Sequence, residues 1–218
     1  MSDLTIIYYT SNREIESFEN KIIESLIENS KGLPIVSVSQ KPIDLGENIC
    51  VGNVGVSEIN SRRQLLIGAK KAKTKFICSA ESDFLYPESF FEFEPPKDNI
   101  IYLAVPVFIL FVQKGKKTIY SPKKVSSEGC LIVGREYIIS LLESMLKGQD
   151  IWREKTDGDR KIPHLLKAGK TDTFELDIPV VTFKTDNNMH RRTPHEYKNK
   201  TESIHYWGNA KDLRRKYL

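Results

Sequence analysis

Two carboxylates two residues apart, Glu81 and Asp83, stand in the segment Ser79-Ala-Glu81-Ser-Asp83-Phe-Leu85-Tyr-Pro87, directly after the short apolar run Phe76-Ile-Cys78. Carboxylate oxygens are hard donors, and an acid-x-acid pair can hold a divalent cation and, through it, a diphosphate. The position suits that chemistry, because open α/β sheets bind ligands just beyond the carboxyl ends of their strands. The same residues also suit a solvated turn that caps the next helix, since Ser and Asp are frequent there. Spacing alone leaves the two readings level.

A second group lies near the end of the chain. Three of the four histidines, His190, His195 and His205, fall after residue 184, with Arg191 and Arg192 beside the first and the segment Ser203-Ile-His-Tyr-Trp-Gly208 further on. Neutral imidazole is a good ligand for transition metals, and arginine matches phosphate geometry. A surface tail with incidental histidines is the plainer account. Trp207 reads most simply as a packing residue that pins the tail.

The elements that position these groups follow from periodicity. Residues 4–9 are an apolar, β-rich run. In residues 13–30, Ile15, Phe18, Ile22, Ile23, Leu26 and Ile27 recur at helical spacing, with Ser11 and Glu14 in the pattern of a capping box. Gly32 and Pro34 end that helix, and residues 35–39 read as a second strand. A turn-rich stretch follows at 41–46. The spacing predicts a helix over 57–72, with Ile59, Leu66, Ile67 and Ala69 buried, and a third strand over 74–79. Strand and helix alternating in this way predict a parallel sheet flanked by helices.

Beyond Pro87 the pattern changes. A short acidic, Phe-rich helix or turn at 88–94 precedes one or two strands within 100–112. A hairpin at Lys114-Gly-Lys116 leads into the returning strand Thr118-Ile-Tyr120. A strand is expected over 130–133, an amphipathic helix over 135–147 closed by Gly148, and a last strand over 174–183. Residues 149–173 are polar and carry no clear assignment.

The 218 residues suit one domain, and 39% hydrophobic with 28% charged residues excludes a disordered or fibrous chain. The net charge of +4 lies wholly in residues 185–218, where eight Lys and Arg face Asp186, Glu196, Glu202 and Asp212. Cys50, Cys78 and Cys130 form no C-x-x-C pair, so reduced, buried thiols are expected rather than a disulfide framework or cysteine zinc site. The N-terminal residues lack a signal-peptide pattern. The apolar run at 100–112, broken by Pro106, is shorter than the about 20 residues of a membrane span. A cytoplasmic protein without a membrane span is the expectation.

Taken in order, Tyr-Tyr-Thr10-Ser-Asn12-Arg13, the helical stretch 60–69, Glu81-Ser-Asp83 and Leu85-Tyr-Pro87 resemble GT-A glycosyltransferases, in particular the small family-two-like members of bacteria and phages. The resemblance covers about residues 4–145. It implies a Rossmann-like, mixed but mostly parallel sheet in a single domain. Residues 1–184 would be the catalytic core, with a nucleotide-binding half over about 1–95 and an acceptor-side half over about 96–184. Residues 185–218 would be a basic tail packed on or closing the site.

The resemblance further implies that Asp83 and Glu81 hold Mn²⁺ or Mg²⁺ and that His190 is a further ligand. Thr10, Asn12, Arg13 and Arg63 or Gln64 would lie around the nucleotide. An inverting transfer needs a carboxylate to take the acceptor proton. Asp150, Glu154 and Asp157 are the candidates, with Glu154 preferred because Trp152 beside it offers a sugar platform; the surrounding residues depart from the family's Glu-Asp pattern. The implied donor is a nucleotide sugar, a uridine diphosphate sugar first, and the acceptor a modified DNA base, a glycan or a protein. Two other classes stay open. A nucleotidyltransferase shares such a sheet, although a glycine-rich, basic phosphate loop is missing after the first strand. A non-enzymatic nucleic-acid-binding protein would use the basic tail with Tyr197, Tyr206, Trp207 and Tyr217.

Overall fold

Seven consecutive buried residues make the first strand, β1 (Leu4–Thr10), and their side chains alternate between the two faces of the sheet. Leu4, Ile6 and Tyr8 join one apolar cluster, and Ile7 and Tyr9 join another on the opposite face. A strand buried on both faces needs cover on both. The computed structural model, which describes residues 3–123, 127–149, 152–153, 164–187 and 199–218, supplies that cover.

The chain continues through α1 (Glu16–Ser30), β2 (Ile35–Ser39), β3 (Glu47–Cys50), α2 (Glu58–Lys71), β4 (Phe76–Glu81), β5 (Phe84–Leu85) and α3 (Glu88–Phe91). Then come β6 (Ile101–Phe111), β7 (Ile119–Pro122), a 3₁₀ turn (Glu128–Cys130), β8 (Leu131–Gly134) and α4 (Arg135–Leu146). The last elements are α5 (Leu165–Ala168), β9 (Thr171–Lys184), the two-stranded β10 (Ser203–Ile204) and β11 (Gly208–Asn209), and α6 (Ala210–Tyr217).

Among the described residues the main sheet has the order β3-β2-β1-β4-β8-β6-β9-β5, with β7 paired to β6. Strands β3, β2, β1, β4, β6 and β9 run one way, and β8, β5 and β7 run against them. The fold is therefore mixed α/β with a mostly parallel sheet flanked by helices in a single domain. The chain steps outward from β1 to β2 and β3, then crosses back to place β4 on the other side of β1. Ligands of open α/β sheets bind where strand order reverses in this way.

Helix α2 lies close against β1 because residue 68 is glycine: a Cβ there would stand 2.3 Å from Ile7 Cγ2. Leu65 and Ala69 pack with Ile7, Ile77, Ile138 and Leu142, which joins α2 and α4 on one face. On the other side, α6 sets Ala210, Leu213 and Tyr217 against Phe18, Ile22 and Phe183. Each fully buried Phe or Leu in such clusters contributes about 1.5–3 kcal/mol of transfer free energy. Trp207 is tied to the same body by its Nε1–H, which donates to Pro179 O at 2.7 Å.

Several expectations shift in detail. Helix α1 begins at Glu16 without a side-chain cap, so Ser11 and Glu14 form no capping box; Glu14 Oε1 instead accepts from Thr185 Oγ1 at 2.8 Å. Ser57 does cap α2, accepting from Asn60 N. Ile59 and Ala69 are buried, whereas Leu66 and Ile67 are half-buried and Leu65 takes the core position. The strand expected at 74–79 runs from Phe76 to Glu81, and β3 was not anticipated. The hairpin of β6 and β7 forms as expected, pairing Phe111 with Ile119. Cys78 and Cys130 are buried free thiols, but Cys50 is exposed on the edge strand β3. No described helix is long and apolar enough to cross a membrane.

Candidate functional site

The reversal point between β1 and β4 is occupied by a register pair, Tyr9 opposite Glu81. The Tyr9 hydroxyl donates to Glu81 Oε1 at 2.6 Å. Strand β4 ends at Glu81 and β5 starts at Phe84, so Asp83 sits in the intervening turn. Its backbone is fixed from the far side of the sheet: Phe183 N donates to Asp83 O at 2.8 Å, and Thr182 Oγ1 lies 3.5 Å from Asp83 Oδ2. The two acids predicted from sequence are thus brought together by β1 on one side and β9 on the other.

They line a cavity of about 70 Å³ whose wall also includes Lys123, Ser127, Thr182 and Lys184. Lys123 Nζ donates to Ser127 Oγ at 3.1 Å. Lys184, the last residue of β9, is 4% exposed. Behind the acids, Gly129 allows the close fit: a Cβ would stand 2.8 Å from the Phe84 ring and 3.0 Å from the Glu81 carboxyl group. Burial, and then the neighbouring Asp83 charge, push the Glu81 carboxyl up to about 7, while the Tyr9 hydrogen bond and Lys123 pull against that rise. Among the described residues no group of three or more His, Cys, Asp or Glu could hold a metal ion. A pair of hard oxygen donors suits Mg²⁺ or Mn²⁺ completed by water and phosphate, which is the usual manner in which Mg²⁺ is held beside a nucleotide.

The remaining predicted residues surround the end of β1. Thr10 is buried, with its Oγ1 accepting from Asn12 N at 2.9 Å. Asn12 adopts the left-handed region, φ 51°, and its Oδ1 accepts from Gln40 N at 2.9 Å and Lys41 N at 2.8 Å. It thereby joins the ends of β1 and β2 rather than capping α1. Arg13 is exposed at the same edge. Gln64 is buried and donates to Thr10 O and Val38 O, so it braces the strand ends from beneath. Arg63 donates to Gln149 O and lies over the Trp152 ring, 5.4 Å from its centroid. Asp150, Glu154, Asp157, His190, Arg191, Arg192, His195 and Tyr197 lie outside the described residues.

A second polar cluster adjoins the first. Glu128 Oε1 accepts from His164 Nδ1 at 2.9 Å and Leu165 N at 3.1 Å, and meets Arg62 Nη2 at 3.5 Å. Arg62 is 3% exposed. The Glu128 carbonyl accepts from Ser79 Oγ at 2.7 Å, which couples the cluster to β4. His164 and Arg62 hold the Glu128 carboxyl below its ordinary range despite burial, and Glu128 raises His164.

Tyr9, Lys123, Lys184 and Glu128 were not singled out from the sequence. Lys184 closes an apolar run that looks like any strand end, and only strand pairing brings it within reach of Glu81 and Asp83, 103 and 101 positions earlier. Tyr9 carried a weak signal, the second of two adjacent phenols at the end of a strand that begins apolar.

A mostly parallel sheet flanked by helices, with paired acids at its reversal point, is a Rossmann-like α/β fold. No protein-family model and no curated protein matches the chain. Among solved structures it is similar to the inositol-1-phosphate CTP transferase of T. maritima, at 13% identity over 84% of this chain and 89% of that one, with a TM-score of 0.51. It is also similar to S. aureus TarS 1–349 in complex with UDP-GlcNAc, at 15% identity over 91% of this chain and 62% of that one, TM-score 0.46. A glycosyltransferase involved in glycosylation of the major capsid of PBCV-1 matches at 11% identity over 82% and 91% of the two chains, TM-score 0.45. The chain spans about 60% of the length of the TarS 1–349 structures.

Proposed function

We propose that the chain is a metal-dependent glycosyltransferase that moves a sugar from a nucleoside diphosphate donor, a uridine diphosphate sugar, to an acceptor hydroxyl with inversion. The observation that carries this reading is the Glu81 and Asp83 pair at the reversal point of the sheet, with Tyr9 on one acid and β9 on the other. Asp83 and Glu81 would hold Mg²⁺ or Mn²⁺, with His190 as a further ligand. When bound, the ion supplies charge neutralisation for the departing diphosphate. Thr10 and Asn12 shape the wall that receives the base and ribose, and Arg13 and Arg63 flank it. Glu154 or Asp157 takes the acceptor proton. Residues 1–184 form the catalytic core and 185–218 the wall over the diphosphate. A modified DNA base, a glycan or a protein is the acceptor, the first of these docking on the basic tail.

Nucleotidyl transfer is the second reading, favoured by the likeness to the CTP transferase fold. The loop after β1, Ser11-Asn-Arg-Glu-Ile15, has neither the glycines nor the run of basic residues that would cradle a triphosphate, and this ranks it lower.

The test is thermal stabilisation by uridine diphosphate with and without Mn²⁺, on the parent and on Asp83→Ala, followed by a screen of sugar nucleotides for release of free diphosphate. Metal-dependent stabilisation lost in Asp83→Ala, with release from one uridine diphosphate sugar, supports transfer. Pyrophosphate release from CTP or UTP in place of it selects nucleotidyl transfer.

A further inference from the structure

The cavity beside Glu81 and Asp83 contains a feature that a cation site by itself does not call for. Two lysines, Lys123 and Lys184, belong to the same wall as the two acids. Lys184 is 4% exposed, and lysine is almost never so deeply buried without a charged partner. Its placement follows from β9: Thr182, Phe183 and Lys184 all border the cavity, and the Phe183 ring packs on Phe18 and Tyr217 with ring centroids 5.1 and 5.5 Å away. Lys123 arrives from the end of β7, its backbone N held by Val107 O at 2.7 Å and its Nζ by Ser127 Oγ.

Two lysines repel a divalent cation and so weaken a site built for the cation alone. They become useful when a polyanion enters with it. We propose that Lys184 and Lys123 are tethered cations that bind the diphosphate directly, so that the site retains diphosphate when no divalent ion is present. The inference rests on the transferase reading for the origin of the diphosphate, but its own content is anion binding by these two side chains. In the protein without ligand Lys123 pulls the Glu81 carboxyl down only in part; with substrate bound the two lysines would face phosphate oxygens, and Glu81 and Asp83 would hold the metal. Metal then serves the chemical step more than retention of the donor.

The experiment measures binding of inorganic pyrophosphate by titration calorimetry in EDTA, on the parent, Lys184→Met, Lys184→Arg and Lys123→Gln. The parent is expected to bind, Lys184→Met and Lys123→Gln to bind about tenfold more weakly through loss of a charge-assisted contact, and Lys184→Arg to recover most of the affinity. Mn²⁺ binding without anion, followed by electron paramagnetic resonance, is expected to be unchanged or tighter in Lys184→Met, a result that general damage to the fold would not give. Absence of pyrophosphate binding by the parent, or equal binding by the parent and both charge-removing variants, overturns the proposal. If Lys184→Met does not fold, Lys123→Gln carries the same decision. Sugar-nucleotide turnover separates the two readings. Turnover with pyrophosphate binding indifferent to the lysines leaves transfer standing and this inference refuted, while lysine-dependent pyrophosphate binding without turnover of any sugar nucleotide does the reverse.

Discussion

The Tyr9 hydroxyl donates to Glu81 Oε1 over 2.6 Å, and the two residues are register partners across the parallel pair of β1 and β4. The bond stabilises the ionised carboxylate, so it works against the burial that pushes Glu81 up to about 7. Tyr9→Phe should leave the fold intact, drive the Glu81 carboxyl higher and weaken Mn²⁺ binding about tenfold near pH 6.5, in the range of outer-shell substitutions at metal sites. The deficit should shrink at pH 8.5, where Glu81 ionises in both proteins. Equal deficits at the two pH values would contradict this account.

Without a divalent ion, stability should fall as pH rises through the Glu81 range. The folded protein releases the Glu81 proton at about 7, whereas the unfolded chain releases it near 4.5. Between those values the native state binds more protons, so this contribution is fully present below about 4.5 and is lost by the time pH passes 7. Glu81→Gln should flatten that part of a denaturation-midpoint profile. A variant profile as steep as the parent's would assign the effect to another group.

The small cluster behind the site should behave in the opposite sense at its acidic end. Glu128 is held below 4.5 and His164 above 6.5. The Glu128 share is lost as pH falls below 4.5, and the His164 share is lost as pH rises above 6.5, so the bridge contributes most between the two. Glu128→Gln leaves buried Arg62 with only the exposed Glu58 carboxylate, 3.9 Å away, and should cost about 2–3 kcal/mol in urea unfolding at pH 6. His164, whose side chain is 51% exposed, should cost far less when replaced by Ala.

Gly129→Ala tests the closeness of the fit. A methyl group at this position has to displace the Phe84 ring or the Glu81 carboxyl, which it would meet at 2.8 and 3.0 Å. Overpacking of this kind costs about 1–3 kcal/mol. Stabilisation by uridine diphosphate with Mn²⁺ should be lost in larger proportion, because the carboxyl is the more easily moved neighbour. Unchanged stabilisation with a lowered melting point would mean that the ring moves instead.

The parts of the fold legible in the sequence are those with a local signature. The helical spacing of Phe18, Ile22 and Leu26 marked α1, the apolar Phe76-Ile-Cys78 marked β4, and the acid pair that follows stood out by composition. Strand β3 was illegible because Pro42 and Gly46 punctuate its approach and only Ile49 and Cys50 are apolar; its order comes from pairing with β2. The capping box failed for a similar reason, since Glu14 finds Thr185, a partner 171 positions away. The lysines beside the acids share this property. Their side chains reach the site only after β7 and β9 have joined β6, and no local pattern announces such a meeting.

Because Glu81 is secured from β1 and Asp83 from β9, the spacing between the two carboxyl groups is set by elements from opposite ends of the folding sequence. A nascent chain that has completed β1, β4 and β5 already owns both acids but not their geometry. The pair becomes a matched set only when Phe183 closes its hydrogen bond to the Asp83 carbonyl. On the proposed reading, capture of a divalent ion would double as a report that the last strand of the main sheet is home, and protection of the Phe183 amide from exchange would record the moment of assembly.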